Sequence, residues 1–321
     1  MPEYIAPGKM FLSGEYSVLY GHPAIVLSIN KYVRVNISRS NEFSISIYNK
    51  TYTGSYNSLK QTIRKLSPHT YHVLSYVDNL FGLDNLKIEI KSDIPFKGLG
   101  SSSAILTALL YGLLDFLNEK ISKHKLIPIL YNIKKNLEGG SPADIIASTF
   151  GGISLVKYSE EKITYTQLKK DYFSSKAIKL IAIYSGKSVK TKDVIDRVMD
   201  SIKMTNYKKS IIDLISKITG EIWQILHFNG EPSKLIRLIR LNHFLLSSLG
   251  ISTTFIDDIV NNLYELPNVA LKISGAGFGD SILMLIINPS KETLTQISQK
   301  ISPRQYTHIK VDIGGVRKVY T

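Results

Sequence analysis

The residues best suited to chemistry lie in three short glycine-rich stretches. The first is Ala6-Pro7-Gly8-Lys9-Met10-Phe11-Leu12-Ser13-Gly14-Glu15-Tyr16. A lysine inside a short apolar strand is unusual, because a buried ammonium needs an anionic partner. The plain alternative is an edge-strand lysine at the surface. The second stretch, Gly98-Leu99-Gly100-Ser101-Ser102-Ser103, follows a strand pattern and opens an apolar helix. Glycines let backbone approach a ligand closely, and free N–H groups at a helix start attract anions. Three successive hydroxyls suit phosphate oxygens or a Mg²⁺ ion. The stretch lacks the Walker lysine and is not a dinucleotide fingerprint. Its plain alternative is a serine-capped β–α turn. The third, Ser274-Gly275-Ala276-Gly277-Phe278-Gly279-Asp280, lies between two strand patterns. Three glycines at alternate positions exceed what a hairpin requires, unless it is bulged.

These loops need elements to hold them. Alternating patterns predict strands at Lys31–Ile37, Phe43–Tyr48 and Leu86–Ile90. Helical periodicity covers Ala104–Leu117 and Leu126–Leu137, and Gly139-Gly140 breaks the second run. Ser141-Pro142-Ala143-Asp144 reads as a helix start, with Ser141 as N-cap, Pro142 at the first position and Asp144 near the third. Strands are expected at Ile153–Tyr158, Ile163–Leu168 and Leu180–Tyr184. Asp193–Leu266 is mostly helical. Strands return at Val269–Ile273, Ile282–Ile287 and Tyr306–Val311, with a helix over Lys291–Ile301. The composition shifts between Tyr158 and Lys176. We therefore expect an N-terminal unit over 1–170 and a C-terminal unit over 171–321, both α+β.

The 321 residues fit two domains. Hydrophobic residues at 44% and charged residues at 21% exclude wholesale disorder. The absence of cysteine excludes disulfides, thiolate metal sites and cysteine nucleophiles. A formal charge of +14 suits an anionic partner, either nucleic acid or a phosphorylated small molecule, or else a lysine-rich solvated surface. No apolar run reaches the roughly 20 residues of a membrane span, and no leader-like h-region is visible. A soluble, cytoplasmic protein is expected.

The ordered set of three stretches resembles the GHMP kinases, which include galactokinase, homoserine kinase, mevalonate kinase and phosphomevalonate kinase. The resemblance implies a two-domain α+β fold. A domain like the second domain of ribosomal protein S5 would pack on a ferredoxin-like domain, with ATP and acceptor in the cleft between them. Among members, Gly14-Glu15-Tyr16, Gly140-Ser141-Pro142-Ala143-Asp144, Ser185-Gly186-Lys187 and Gly275-Ala276-Gly277-Phe278-Gly279-Asp280 look most like the phosphomevalonate kinases, in a compact form. Phe278 and Ser281 depart from that pattern. Mevalonate kinases place a magnesium-binding glutamate about eleven residues before the aspartate matched by Asp144. Here that region reads Ile133 and Lys134, and Glu138 lies too close in sequence to substitute. The expected activity is therefore phosphoryl transfer from ATP to 5-phosphomevalonate. Mevalonate kinase is the alternative, and an inactive nucleic-acid-binding or scaffolding relative is the alternative of another class.

The resemblance also implies roles for residues. Lys9 and Asp144 are the matched catalytic pair. Lys97, Gly98, Leu99, Gly100, Ser101, Ser102 and Ser103 would hold the ATP phosphates, with Gly275, Ala276 and Gly277 closing on the other side. Ser102 would touch Mg²⁺. Ser13, Glu15, Tyr16, Ser141, Lys187, Lys190, Arg197, Ser274, Gly279 and Asp280 would meet the acceptor. The expected partner is a phosphorylated small molecule, with neither nucleic acid nor membrane.

Overall fold

The computed structural model describes residues 2–159, 162–186, 191–279 and 281–320. The chain begins with β1 (Pro2–Ser13), β2 (Pro23–Arg39), β3 (Phe43–Ile47) and β4 (Lys50–Gly54). Helices α1 (Tyr56–Leu66) and α2 (Pro68–Phe81) follow, then β5 (Leu86–Ser92). Next come α3 (Ser101–Phe116), α4 (Lys123–Glu138), α5 (Ala143–Phe150) and the hairpin β6 (Ile153–Tyr158) and β7 (Ile163–Leu168). The remainder holds α6 (Tyr172–Ser175), β8 (Ile178–Tyr184), α7 (Thr191–Lys203), α8 (Asn206–His227), α9 (Pro232–Ser248) and α10 (Thr254–Tyr264). It ends with β9 (Val269–Ser274), β10 (Ser281–Ile287), α11 (Lys291–Ile301), β11 (Tyr306–Ile309) and β12 (Arg317–Tyr320).

Two sheets organise these elements. The larger runs β12-β1-β2-β5-β3-β4, and the long β2 also pairs through its first half with β6. The smaller runs β11-β8-β10-β9, fully antiparallel. In chain order that is fourth, first, third, second, the arrangement of a ferredoxin-like β-α-β-β-α-β unit. Strand β12 returns to pair with β1, so the units expected as 1–170 and 171–321 share the larger sheet.

Strand β1 is buried along almost its whole length because both its faces are covered. Phe11 belongs to one apolar core, while Met10 and Leu12 belong to the core between the sheets. Strand β2 starts earlier than the alternation predicted, since Ala24–Ile29 is buried on both faces and so shows no alternation. Helices α1 and α2, which the periodicity did not reveal, are fixed by their caps: Ser55 and Ser67 accept from Ser58 N–H and Thr70 N–H, and Pro68 opens α2. At α5 the cap falls on Pro142 rather than Ser141, which puts Asp144 in the first turn. Ser141 Oγ still accepts from Ala143 N–H at 3.4 Å.

Candidate active site

Helix α3 is apolar on nearly every side and sits deep in the first core. Its N-terminus is thereby held rigidly against β1, where Lys9 N–H donates to the Leu99 carbonyl at 2.8 Å. Gly100 precedes the helix with φ 80° and has no side chain to cap it. The first-turn N–H groups at Ser101–Ser103 are thus left for an external anion. The contact with β1 is tight. A β-carbon on Gly100 would lie 2.7 Å from Lys9 Cγ.

A cavity of about 540 Å³ opens at this point. The end of β1, the starts of α2, α3 and α5, the end of α4 and the end of β9 converge on it. On its floor Lys9 Nζ stands 3.5 Å from Asp144 Oδ2, and Lys134 Nζ stands 3.9 Å from the same oxygen.

At the nucleotide-loop side, Glu138 ends α4 with its carboxylate 2.8 Å from His69 Nε2, and it lines the same cavity as Ser102. A carboxylate at a helix C-terminus is disfavoured by the macrodipole. Burial also opposes its ionisation, but His69, Lys134 and Ser102 outweigh it and hold the Glu138 pKa down at about 2. Glu138 thus stands in the lining of the cavity that also holds Ser102 and Asp144. Gly139 and Gly140, with φ 68° and 80°, turn the chain sharply enough to set Glu138 and Asp144 around one cavity.

The opposite wall is tied together by buried polar contacts. Lys272 on β9 is fully buried and donates to Glu15 and to the Ile273 carbonyl, with the Phe11 carbonyl at 3.4 Å. Burial pushes its ammonium pKa down, and Glu15 opposes that shift. Ser274 Oγ accepts from Phe11 N–H at 2.8 Å and also bonds the Phe11 carbonyl. Tyr16 donates its hydroxyl to the Ala276 carbonyl.

Residues 60–152 match the N-terminal domain of the GHMP kinases, and residues 223–308 match the GHMP kinase C-terminal region. The mevalonate kinase of Saccharolobus solfataricus is 30% identical over 296 residues, covering 89% of this chain and 90% of that protein. The chain belongs to the GHMP kinases. The mevalonate kinase of Archaeoglobus fulgidus is 28% identical, covering 89% of this chain and 96% of its own. The crystal structure of Methanococcus jannaschii mevalonate kinase superimposes with a TM-score of 0.81 at 23% identity, covering 97% and 98% of the two chains. Streptococcus pneumoniae phosphomevalonate kinase in complex with phosphomevalonate and AMPPNP gives 0.78 at 15% identity, covering 97% and 100%. These two likenesses establish the fold. The named relatives by sequence are mevalonate kinases, whereas the motifs had pointed to the phosphomevalonate branch.

In this GHMP kinase the expected Lys9, Asp144, Lys97, Gly98, Gly100, Ser101, Ser102, Ser103, Glu15, Tyr16, Ser141, Ser274, Gly275 and Ala276 all line the cavity. Other expected residues do not. Leu99 is buried in the core between the sheets. Ser13 is buried with its hydroxyl 2.7 Å from Thr219 Oγ1. Gly277 packs on Ile251, Gly279 is buried outside the lining, and Arg197 is exposed on α7. Lys187, Lys190 and Asp280 lie outside the described residues. The motifs did not single out His69, Lys134, Glu138 or Lys272 as site residues. For Glu138 and Lys134 the available signal was the Gly139-Gly140 break directly after them. For Lys272 it was a lone lysine inside an apolar strand.

Among the described residues no helix is long and apolar enough to cross a membrane. A Mg²⁺ ion fits the donor set at α3. Ser102 and Glu138 offer hard oxygen ligands, the carboxylate stays ionised, and this metal commonly takes one or two carboxylates plus substrate phosphates.

Proposed function

We propose that the protein is a mevalonate kinase, transferring the γ-phosphoryl of ATP to the primary hydroxyl of mevalonate. The observation that carries this reading is Glu138 lining the same cavity as the nucleotide-loop residue Ser102. It supplies the acidic metal ligand whose absence at the family spacing had favoured a phosphorylated acceptor. The archaeal mevalonate kinases among the relatives support the same reading. Tyr16, one of the residues that suggested a phosphorylated acceptor, already has a partner in the Ala276 carbonyl.

The ATP phosphates bind the free N–H groups and hydroxyls at Ser101–Ser103, with Gly275 and Ala276 facing them across the cavity. Ser102 and Glu138 would hold Mg²⁺, which would neutralise charge on the phosphate oxygens. Phosphoryl transfer needs positioning and charge stabilisation more than covalent help. An alcohol acceptor must also lose its proton. Asp144 takes that proton as the acceptor oxygen bonds to the γ-phosphorus and the bond from that phosphorus to the bridging oxygen breaks, releasing ADP. Lys9, beside Asp144, stabilises negative charge on the acceptor oxygen and the moving phosphoryl group.

A coupled ADP-release assay with mevalonate and 5-phosphomevalonate side by side tests the proposal. The expected kcat/KM is at least tenfold greater for mevalonate. The reverse preference would restore the phosphomevalonate reading, and turnover of neither would remove both.

A further inference from the structure

Lys134 sits one helical turn before the end of α4, on the same face as Glu138 four residues on. Its side chain is 6% exposed. Lysine is seldom buried so deeply without partners, and here its partners are specific. Its Nζ lies 3.3 Å from the Gly139 carbonyl, 3.4 Å from the Ser141 carbonyl and 3.9 Å from Asp144 Oδ2. The two carbonyls accept hydrogen bonds from the ammonium, and the carboxylate stands beside it as an ion pair. Asp144 already has a cation in Lys9, at 3.5 Å. Neutralising Asp144 is therefore not a sufficient reason for a second buried lysine beside it.

Tyr131 also holds the turn, donating its hydroxyl to the Gly140 carbonyl at 3.0 Å, and what Lys134 adds is a link from the turn to the carboxylate. Residues 139–141 are the whole connection between the last residue of α4 and Pro142 at the start of α5. Lys134 holds a carbonyl at each end of that connection. Gly140 has φ 80°, and a β-carbon there would come within 3.5 Å of Lys134 Nζ. The turn thus runs in contact with the ammonium.

We propose that Lys134 is a positioning residue whose ammonium fixes the Gly139–Ser141 turn and the Asp144 carboxylate together. It thereby sets the separation between the proton acceptor Asp144 and the metal-side carboxylate Glu138. The inference deepens the kinase reading above and rests on it for the roles of those two carboxylates.

Three substitutions separate the contributions. Lys134→Arg keeps the charge and the donors, Lys134→Gln keeps donors for the carbonyls without the charge, and Lys134→Met keeps only the volume. Each is compared with wild type for kcat and acceptor KM. Equilibrium binding of Mn²⁺ to the enzyme–ADP complex is followed by electron paramagnetic resonance, and binding of metal-free ADP is measured in EDTA. Removing a residue that orients a metal ligand typically costs 10–100-fold in metal affinity or activity.

Lys134→Met is expected to lower kcat about 10–100-fold with acceptor KM within about threefold, and to weaken Mn²⁺ binding about tenfold or more. Metal-free ADP binding is expected to stay unchanged. Lys134→Gln is expected to fall between Met and wild type, and Lys134→Arg to recover most of both kcat and Mn²⁺ affinity. Unchanged kcat and Mn²⁺ affinity in Lys134→Met would overturn the proposal. So would a loss of metal-free ADP binding that parallels the loss of kcat, since that marks general disruption of the site. If Lys134→Met does not fold, Gln and Arg decide: equal kcat and equal Mn²⁺ affinity in the two would overturn it. A wild-type enzyme that phosphorylates neither acceptor would sink the kinase reading, while the Mn²⁺ comparison would still judge Lys134.

Discussion

Lys9 on β1 and Asp144 in the first turn of α5 meet at 3.5 Å across the floor of the cavity, with side chains 8% and 18% exposed. Both belong to the site and neither fills an apolar core. Asp144→Asn and Lys9→Met are each expected to lower kcat by roughly 10²–10⁴, the scale of proton-transfer and charge-stabilising groups. Steady-state kinetics with a thermal melt checks this. A variant keeping more than about a third of wild-type kcat would remove that residue from the chemistry.

Gly100 carries the approach of the nucleotide loop to β1. Its φ of 80° disfavours any side chain, and a β-carbon would lie 2.7 Å from Lys9 Cγ. Gly100→Val is expected to displace both the loop and Lys9, weakening nucleotide binding at least tenfold. Titration calorimetry with ADP gives the answer, and wild-type affinity would mean the loop does not hold phosphate.

The Lys272–Glu15 pair is fully buried between β9 and the residues just after β1. Removing one member of such a pair leaves an uncompensated charge and typically costs about 3–5 kcal/mol. Lys272→Met is expected to destabilise on that scale, and the double variant Glu15→Gln/Lys272→Met by clearly less. Denaturant unfolding of the single and double variants measures it. Equal losses would show that the ion pair is not what the strand interface depends on.

His243 on α9 is buried, and burial together with the nearby Lys272 charge lowers its pKa to about 4. In the unfolded chain it titrates near its ordinary value of about 6.5. Between those two values the unfolded state binds a proton that the folded state refuses, so stability falls as pH drops from about 6.5 to about 4. Above this window His243 contributes no slope. In His243→Leu the fall is expected to be shallower. Urea midpoints at pH 7, 5.5 and 4 test this, and parallel curves for the two proteins would contradict it.

The sequence by itself was enough for the three glycine-rich stretches, the Lys9 and Asp144 pair, the positions of the late strands along the chain and the kinase family. Such features are written locally. A helix needs its start signal, and a backbone that must approach a phosphate needs its glycines. Tertiary structure alone decided how the remaining polar side chains are spent. Ser274 clips β9 to the Phe11 backbone, Tyr16 ties down the Ala276 loop, and Ser13 is buried against Thr219. Glu138 looked misplaced because spacing along the chain assumes a fixed path through space. The Gly139-Gly140 turn and the meeting of α3 with α4 bring it by another path into the cavity that Ser102 lines. Lys134 and Lys272 were hidden for the same reason. Lys134, next to Lys135 in a helical run, reads as a surface cation until long-range packing brings it the carbonyls and the carboxylate that let its charge be buried, and Lys272 gains its partner Glu15 only through the same packing.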